Sequence, residues 1–164
     1  MRWVLIGIIV RPHEILMIIE KATVEDITEL CCLLDILFSQ EIEFKPDSNA
    51  QQSGLRAIIT NPQVGIILVA RHNDNLVGMV NILFTVSTAL GGRVAILEDM
   101  VVLPSKRGLG VGSQLLNAAI ATARENNCQR LTLLTDSDNE KAQGFYEKHG
   151  FTRSSMLPFR LVLS

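Results

Sequence analysis

Between Leu97 and Leu116 the chain reads LEDMVVLPSKRGLGVGSQLL, and this stretch holds the residue types best suited to chemistry. Gly108, Gly110 and Gly112 recur at every second position, so their turn is stripped of side chains and a ligand can lie directly on backbone N–H groups. A helix starting there aims its unpaired N-terminal donors and the positive end of its dipole at the same spot, and Lys106 and Arg107 add full charges. Such a turn is a seat for a polyanion, in particular a diphosphate. Just upstream stand two carboxylates, Glu98 and Asp99. Strand alternation sends them to opposite faces unless a bulge intervenes, so one of the two is expected to face a cleft.

These residues need a scaffold. A chain of 164 residues makes about one domain with a real core, and 48% hydrophobic with 20% charged residues is the composition of a globular α/β protein. The formal net charge of -2 gives no global attraction to nucleic acid or to an anionic membrane, so any basic function must be local, as at Lys106 and Arg107. Cys31, Cys32 and Cys128 have no metal-ligand spacing, which points to no metal and to a reducing, cytoplasmic setting. Residues 1–16, with the apolar run WVLIGIIV, lack a cleavage site and are too short for a bilayer span of about 20 residues; they read as an extra N-terminal arm preceding a single domain over 17–164.

The periodicities predict a first strand over Met17–Lys21 and a helix opened by Thr23, with Ile27, Leu30, Cys31, Leu34, Leu37 and Phe38 on one face. Glu43–Ser53 reads as a loop, and Gly54–Thr60 as a short second helix ended by Asn61-Pro62. Gly65–Arg71 and Leu76–Ser87 form a hairpin around His72-Asn73-Asp74-Asn75, and Arg93–Leu103 adds a third antiparallel strand. After the glycines a helix runs to about Asn127, and Gln129–Thr135 returns as a strand parallel to the Arg93 strand. A last helix spans Glu140–His149 with Gly150 at its left-handed end, and Phe151–Leu163 reads as a final strand or hairpin.

A P-loop is ruled out because Ser113 and Gln114, not Lys and Ser or Thr, follow Gly112. A dinucleotide-binding domain fits poorly: its third small position would be Ser113, and the strands before the turn form a meander. The pattern Arg107-Gly108-Leu109-Gly110-Val111-Gly112 after a Val-rich strand resembles instead the acetyl-CoA motif of the GNAT superfamily of N-acetyltransferases. A second element about 30 residues on, with Asn139, Ala142 and Phe145-Tyr146-Glu147-Lys148-His149-Gly150-Phe151, is similar to that family's N-x-x-A-x-x-(F/L)-Y-x-x-x-G-F signature.

The resemblance implies an α/β (α+β type) GNAT-like fold, with a central mixed, mostly antiparallel splayed sheet flanked by helices. It implies acetyl transfer from acetyl-CoA, used as co-substrate, to a primary amine on a small molecule or peptide, by direct attack through a tetrahedral intermediate. Backbone groups of Met100, Val101 and Val102 would pair with the pantetheine arm, N–H groups from Arg107 to Gly112 would hold the pyrophosphate, and Asn139 would touch the cofactor's arm. Tyr146 would be the general acid; a phenol of pKa about 10 can protonate a departing thiolate of about 8.5. The run Leu97-Glu98-Asp99 is similar to the strand of polyamine and diamine acetyltransferases, which favours Glu98 as the base, acting through water. Neither a nucleic-acid nor a membrane partner is implied, and the apolar arm with the family resemblance suggests a homodimer. The alternative from another class is a non-catalytic CoA-binding module.

Overall fold

The computed structural model describes residues 17–40 and 45–163, which fall into two compact units, one ending at Leu133 and one beginning at Leu134. The expected arm over 1–16 lies outside the described residues.

The first unit holds β1 (Ile18–Lys21), α1 (Ile27–Phe38), α2 (Ser48–Ile59), β2 (Gly65–His72), β3 (Asn75–Ser87), β4 (Gly92–Val102), α3 (Val111–Glu125) and β5 (Leu131–Leu133). The strands lie in sequence order in one sheet; β1 to β4 are antiparallel neighbours and β5 runs parallel to β4. Chain chemistry accounts for this order. Asn73 and Asp74 take φ of 51° and 63°, the left-handed values a two-residue hairpin turn needs and that Asn and Asp tolerate, so β2 folds straight back as β3. The connection from β4 to β5 carries α3 and brings the chain back parallel.

Alternation along the strands gives the sheet two apolar faces. Ile67, Val69, Met79 and Val101 pack with Ile27, Leu30, Leu34 and Leu55 of α1 and α2. On the other face α3 buries Leu115 and Leu116 completely. Gly78 permits that approach: a Cβ there would stand 3.0 Å from Leu115 Cδ1 and 2.9 Å from the Val101 carbonyl. The α1 entrance is fixed by Asp26, which accepts from the Thr23 N–H (2.8 Å) and pairs with Arg71 (2.6 Å), itself bound to Glu20. Burial alone would raise the Asp26 carboxyl, but the Thr23 N–H and the Arg71 guanidinium outweigh it and hold the carboxyl below its ordinary value.

Two expectations change. The loop expected over Glu43–Ser53 is half helix: α2 begins at Ser48, because Asp47 caps it by accepting from the N–H groups of Asn49 and Ala50. In the second unit α4 (Glu140–Lys148) forms as expected, and Gly150 takes φ of 90° just past it. The final strand over Phe151–Leu163 does not form: these residues carry no regular structure, and Met156, Phe159 and Leu163 are exposed. A strand exists only by pairing its backbone, and among the described residues of this unit there is no other strand to pair with. No helix among the described residues is long and apolar enough to cross a membrane.

Candidate active site

The last five residues of β4 lie beyond its pairing with β5, which ends at Leu97 opposite Leu133. Past Val102 the chain makes a tight 3-10 turn over Pro104–Lys106, closed by the Lys106 N–H on the Leu103 carbonyl at 2.8 Å. Arg107 turns its guanidinium back, and its Nε donates to the Val102 carbonyl at 3.0 Å, tying the turn to the strand end. Lys106 Nζ lies 3.5 Å from His72 Nδ1. Gly108 and Gly110 then take φ of 77° and 80°, values that an L side chain rarely adopts.

Gly110 is the N-cap of α3, and no side chain caps that helix. Its first intrahelical bond is from the Gln114 N–H to the Gly110 carbonyl, so the preceding N–H groups at the helix start are available to an anion. A Cβ on Gly108 would meet nothing within 4 Å, which leaves open space over the turn. These residues fit a diphosphate: bare backbone donors, a helix dipole of the right sign, and two cations beside them.

One strand position upstream of Met100 the ladder slips. Met79 faces Val101 but Asn81 faces Glu98, so Asp99 and Met100 together oppose Val80. This is a β-bulge, and Asp99 sits in it at a φ of 48°. Glu98 is exposed on the strand, whereas Asp99 lines a cavity of about 280 Å³ between the helices and the sheet. Leu34 and Phe38 of α1, Ala50, Gln51, Gly54, Leu55 and Ile58 of α2, Asn81 of β3, and Lys45 and Asp47 ahead of α2 complete its wall.

The wall is mainly apolar but holds two deeply buried amides: Asn81 is 2% exposed and Gln51 7%. Asn81 Nδ2 donates to Asp99 Oδ2 at 2.5 Å, and Gln51 Nε2 donates to Asp35 Oδ1 at 2.9 Å. Carboxylates accept and cannot donate when ionised, so each fixes which end of its amide faces it. The opposite ends, Asn81 Oδ1 and Gln51 Oε1, are buried without a hydrogen-bond partner in the protein. Each such oxygen costs about 1–3 kcal/mol.

Neither amide was identified from the sequence. The available signals were weak: Asn81 is the one polar residue in the run Leu76–Phe84, and Gln51 stands one helical turn before the buried Leu55.

In the second unit Asn139 uses its Oδ1 to cap α4, accepting from the Ala142 N–H at 3.0 Å. Tyr146 stands edge-on to Phe145 and Phe151, with ring centroids 5.3 and 5.8 Å away, and burial pushes its phenol above the usual value. Burial likewise raises the thiols of Cys31 and Cys128, the opposite of what a nucleophilic thiolate needs. Among the described residues no group of three His, Cys, Asp or Glu side chains is placed to hold a metal ion.

Comparison with known proteins supports the same reading. The chain is 35% identical over 118 residues to the uncharacterized N-acetyltransferase YhfO of Bacillus subtilis, covering 70% of this chain and 78% of that protein. It is 29% identical over 136 residues to the aminoalkylphosphonate N-acetyltransferase of Salmonella typhimurium, covering 83% and 85%. The crystal structure of a possible acetyltransferase from Clostridium difficile 630 superposes with a TM-score of 0.81 over 91% of this chain and 99% of that one, at 17% identity, which speaks for the fold alone. The sequence profile of the acetyltransferase (GNAT) family matches residues 30–151, a span that takes in the Asp99 bulge, the glycine turn and α4. With the mixed sheet and the uncapped glycine turn already in place, that match settles the kinship: the chain belongs to the GNAT family of acetyltransferases.

Proposed function

We propose that the chain transfers an acetyl group from acetyl-CoA to a primary amine on a small molecule. The observation that carries this reading is that β4 holds both halves of the chemistry: its end leads into the glycine turn, and its bulge presents Asp99 to a mainly apolar cavity. Ligand cavities commonly run from about 300 to 1,000 Å³, so one of about 280 Å³ suits a small acceptor better than a polypeptide. The Salmonella relative, by its name, acetylates an aminoalkylphosphonate, which is an acceptor of this size class.

Acetyl-CoA supplies the activated acetyl thioester. The N–H groups from Gly108 to Gly112, including those of Leu109 and Val111, hold its pyrophosphate, with Lys106 and Arg107 as counter-charges, while the Arg107 N–H donates to the Pro104 carbonyl at 3.3 Å. Backbone groups of Met100, Val101 and Val102 align the pantetheine arm as an added strand, and Asn139 touches that arm. A backbone N–H at Val101 or Val102 stabilises the developing oxyanion.

An alkylamine has a pKa of about 10.4 and arrives as an ammonium, so it must lose a proton before it can attack. Asp99, at the cavity wall, meets that ammonium and receives the proton. Glu98, next in the chain and exposed, passes it through water to solvent. Tyr146 protonates the departing thiolate, and its raised pKa keeps the phenol protonated throughout the neutral range. The test is release of free thiol from acetyl-CoA in the presence of a panel of small primary amines.

A further inference from the structure

We propose that His72 and Lys106 form a phosphomonoester subsite beside the glycine turn, and that it takes the 3′-phosphate of CoA. This rests on the reading that the turn seats the cofactor's diphosphate; CoA carries one further anion, a phosphate monoester one ribose beyond it.

The two residues come from separate elements. His72 ends β2, and Lys106 closes the 3-10 turn that follows β4. The backbone brings these ends together: β3 folds straight back from β2, and the Leu103 N–H extends the pairing of β3 with β4 by donating to the Val77 carbonyl at 2.8 Å. Strand alternation then chooses the face. Arg71 pairs with Asp26 just ahead of α1, so His72 belongs to the opposite face, the one on which Leu115 of α3 packs against Gly78. Lys106 stands two residues before Gly108, so their Cα atoms are within about 7 Å of each other.

Neither charge is used elsewhere. Lys106 Nζ and His72 Nδ1 are 3.5 Å apart on half-buried residues, and among the described residues neither side chain has another hydrogen bond or an ion pair. An ammonium only donates, so Nδ1 is the acceptor, and the contact is long for a hydrogen bond. Once the imidazole is protonated both atoms carry N–H donors, and only an acceptor from outside can satisfy them together. The surrounding carboxylates do not fill that role. Glu20 and Asp26 are taken by Arg71 on the other face, Glu29 of α1 accepts from the Leu76 N–H, and Asp74 in the hairpin turn makes no ion pair with either residue. Arg107 is turned back to the Val102 carbonyl, and α3 brings no charged residue before Arg124. A phosphate monoester, with a charge of about −1.5 to −2 at neutral pH and three acceptor oxygens, matches this pair of donors.

The experiment is a calorimetric titration of CoA, and of dephospho-CoA, which lacks only the 3′-phosphate, into the full chain as wild type and His72→Gln. It is run at about pH 6 and about pH 8, on either side of the imidazole range, with melting temperature recorded for both proteins. Gln keeps an acceptor for Lys106 but cannot be charged. The phosphate's own titration near about pH 6 is common to both proteins, so the ratio of their affinities isolates the imidazole. The expected result is that wild type binds CoA about tenfold more tightly than dephospho-CoA at the lower pH. His72→Gln loses most of that advantage there, differs from wild type by about twofold or less at the higher pH, and binds dephospho-CoA as wild type does at both. The sign follows from linkage: a bound anion strengthens the imidazole's hold on its proton, so the affinity gained from His72 grows as pH falls. Equal binding of the two cofactors by wild type, or an equal loss of both in His72→Gln, would overturn the subsite and leave the diphosphate seat standing. Binding of neither cofactor by wild type would overturn the seat and the subsite with it.

Discussion

The glycine turn and the cavity meet at β4, yet they are built on opposite plans. The turn is made of backbone from consecutive residues, Arg107 to Gly112, and its donors need nothing from elsewhere except the helix that follows. The cavity is made of side chains contributed by α1, α2, β3 and β4, and its polar atoms are oriented by partners as distant in sequence as Asp35 to Gln51 and Asn81 to Asp99. A backbone site binds what all members of a family share, and a side-chain site can differ from chain to chain. The difference predicts that the two can be broken separately.

The largest effect is expected at the turn. Gly110→Glu puts a bulky anion in the turn proposed to seat the diphosphate, at a φ of 80° that disfavours any side chain. It should abolish the acetyl-CoA-induced rise in melting temperature, which for wild type at 100 times Kd corresponds to about 2.7 kcal/mol, and leave binding of a small alkylamine such as butylamine intact. Loss of both ligands together would erase the distinction between the sites.

Next comes the carboxylate of the cavity. Asp99→Asn keeps a residue that tolerates the left-handed bulge, so the fold should survive, while kcat falls by about 10²- to 10⁴-fold with acetyl-CoA affinity unchanged. Glu98→Gln should cost less than Asp99→Asn, and the opposite ranking in steady-state assays would return the base to Glu98. Tyr146→Phe should lower kcat by about 10²-fold and leave acetyl-CoA affinity near wild type. Because burial raises the phenol, the wild-type rate should decline only above about pH 10, and this alkaline limb should vanish in the variant.

The smallest effect on function is expected from the frame. Asp26→Asn breaks the buried pair with Arg71 and should cost about 3 kcal/mol in urea unfolding at pH 7 without changing acetyl-CoA affinity. The folded carboxyl lies below its unfolded value of about 3.9, so its contribution is complete above that value and is lost as pH falls through the lowered folded one. The difference between wild type and variant should therefore shrink on acidification.

The same contrast explains what could be read in advance. The turn, the Asn73-Asp74 hairpin and the parallel return of β5 follow from local grammar, and the structure holds them where the residues placed them. The second helix was half hidden because Asp47, Ser48 and Asn49 are turn residues by composition, and only the cap geometry shows Asp47 opening a helix. The bulge at Asp99 has no glycine to announce it, so strict alternation could not say which carboxylate would line a cavity. Gln51 and Asn81 were illegible for a further reason: a buried unpaired oxygen is a property of packing between elements, and no spacing in one segment encodes it.

The central claim, acetyl transfer from acetyl-CoA to a small primary amine, is tested most directly by thiol release from acetyl-CoA with purified full-length chain and a series of primary alkylamines, matched alcohols serving as controls. The account predicts amine-dependent thiol release that saturates with butylamine-sized acceptors and is absent with the alcohols. Stabilisation by acetyl-CoA with no thiol release for any amine would contradict it and mark the chain as a CoA-binding module without chemistry.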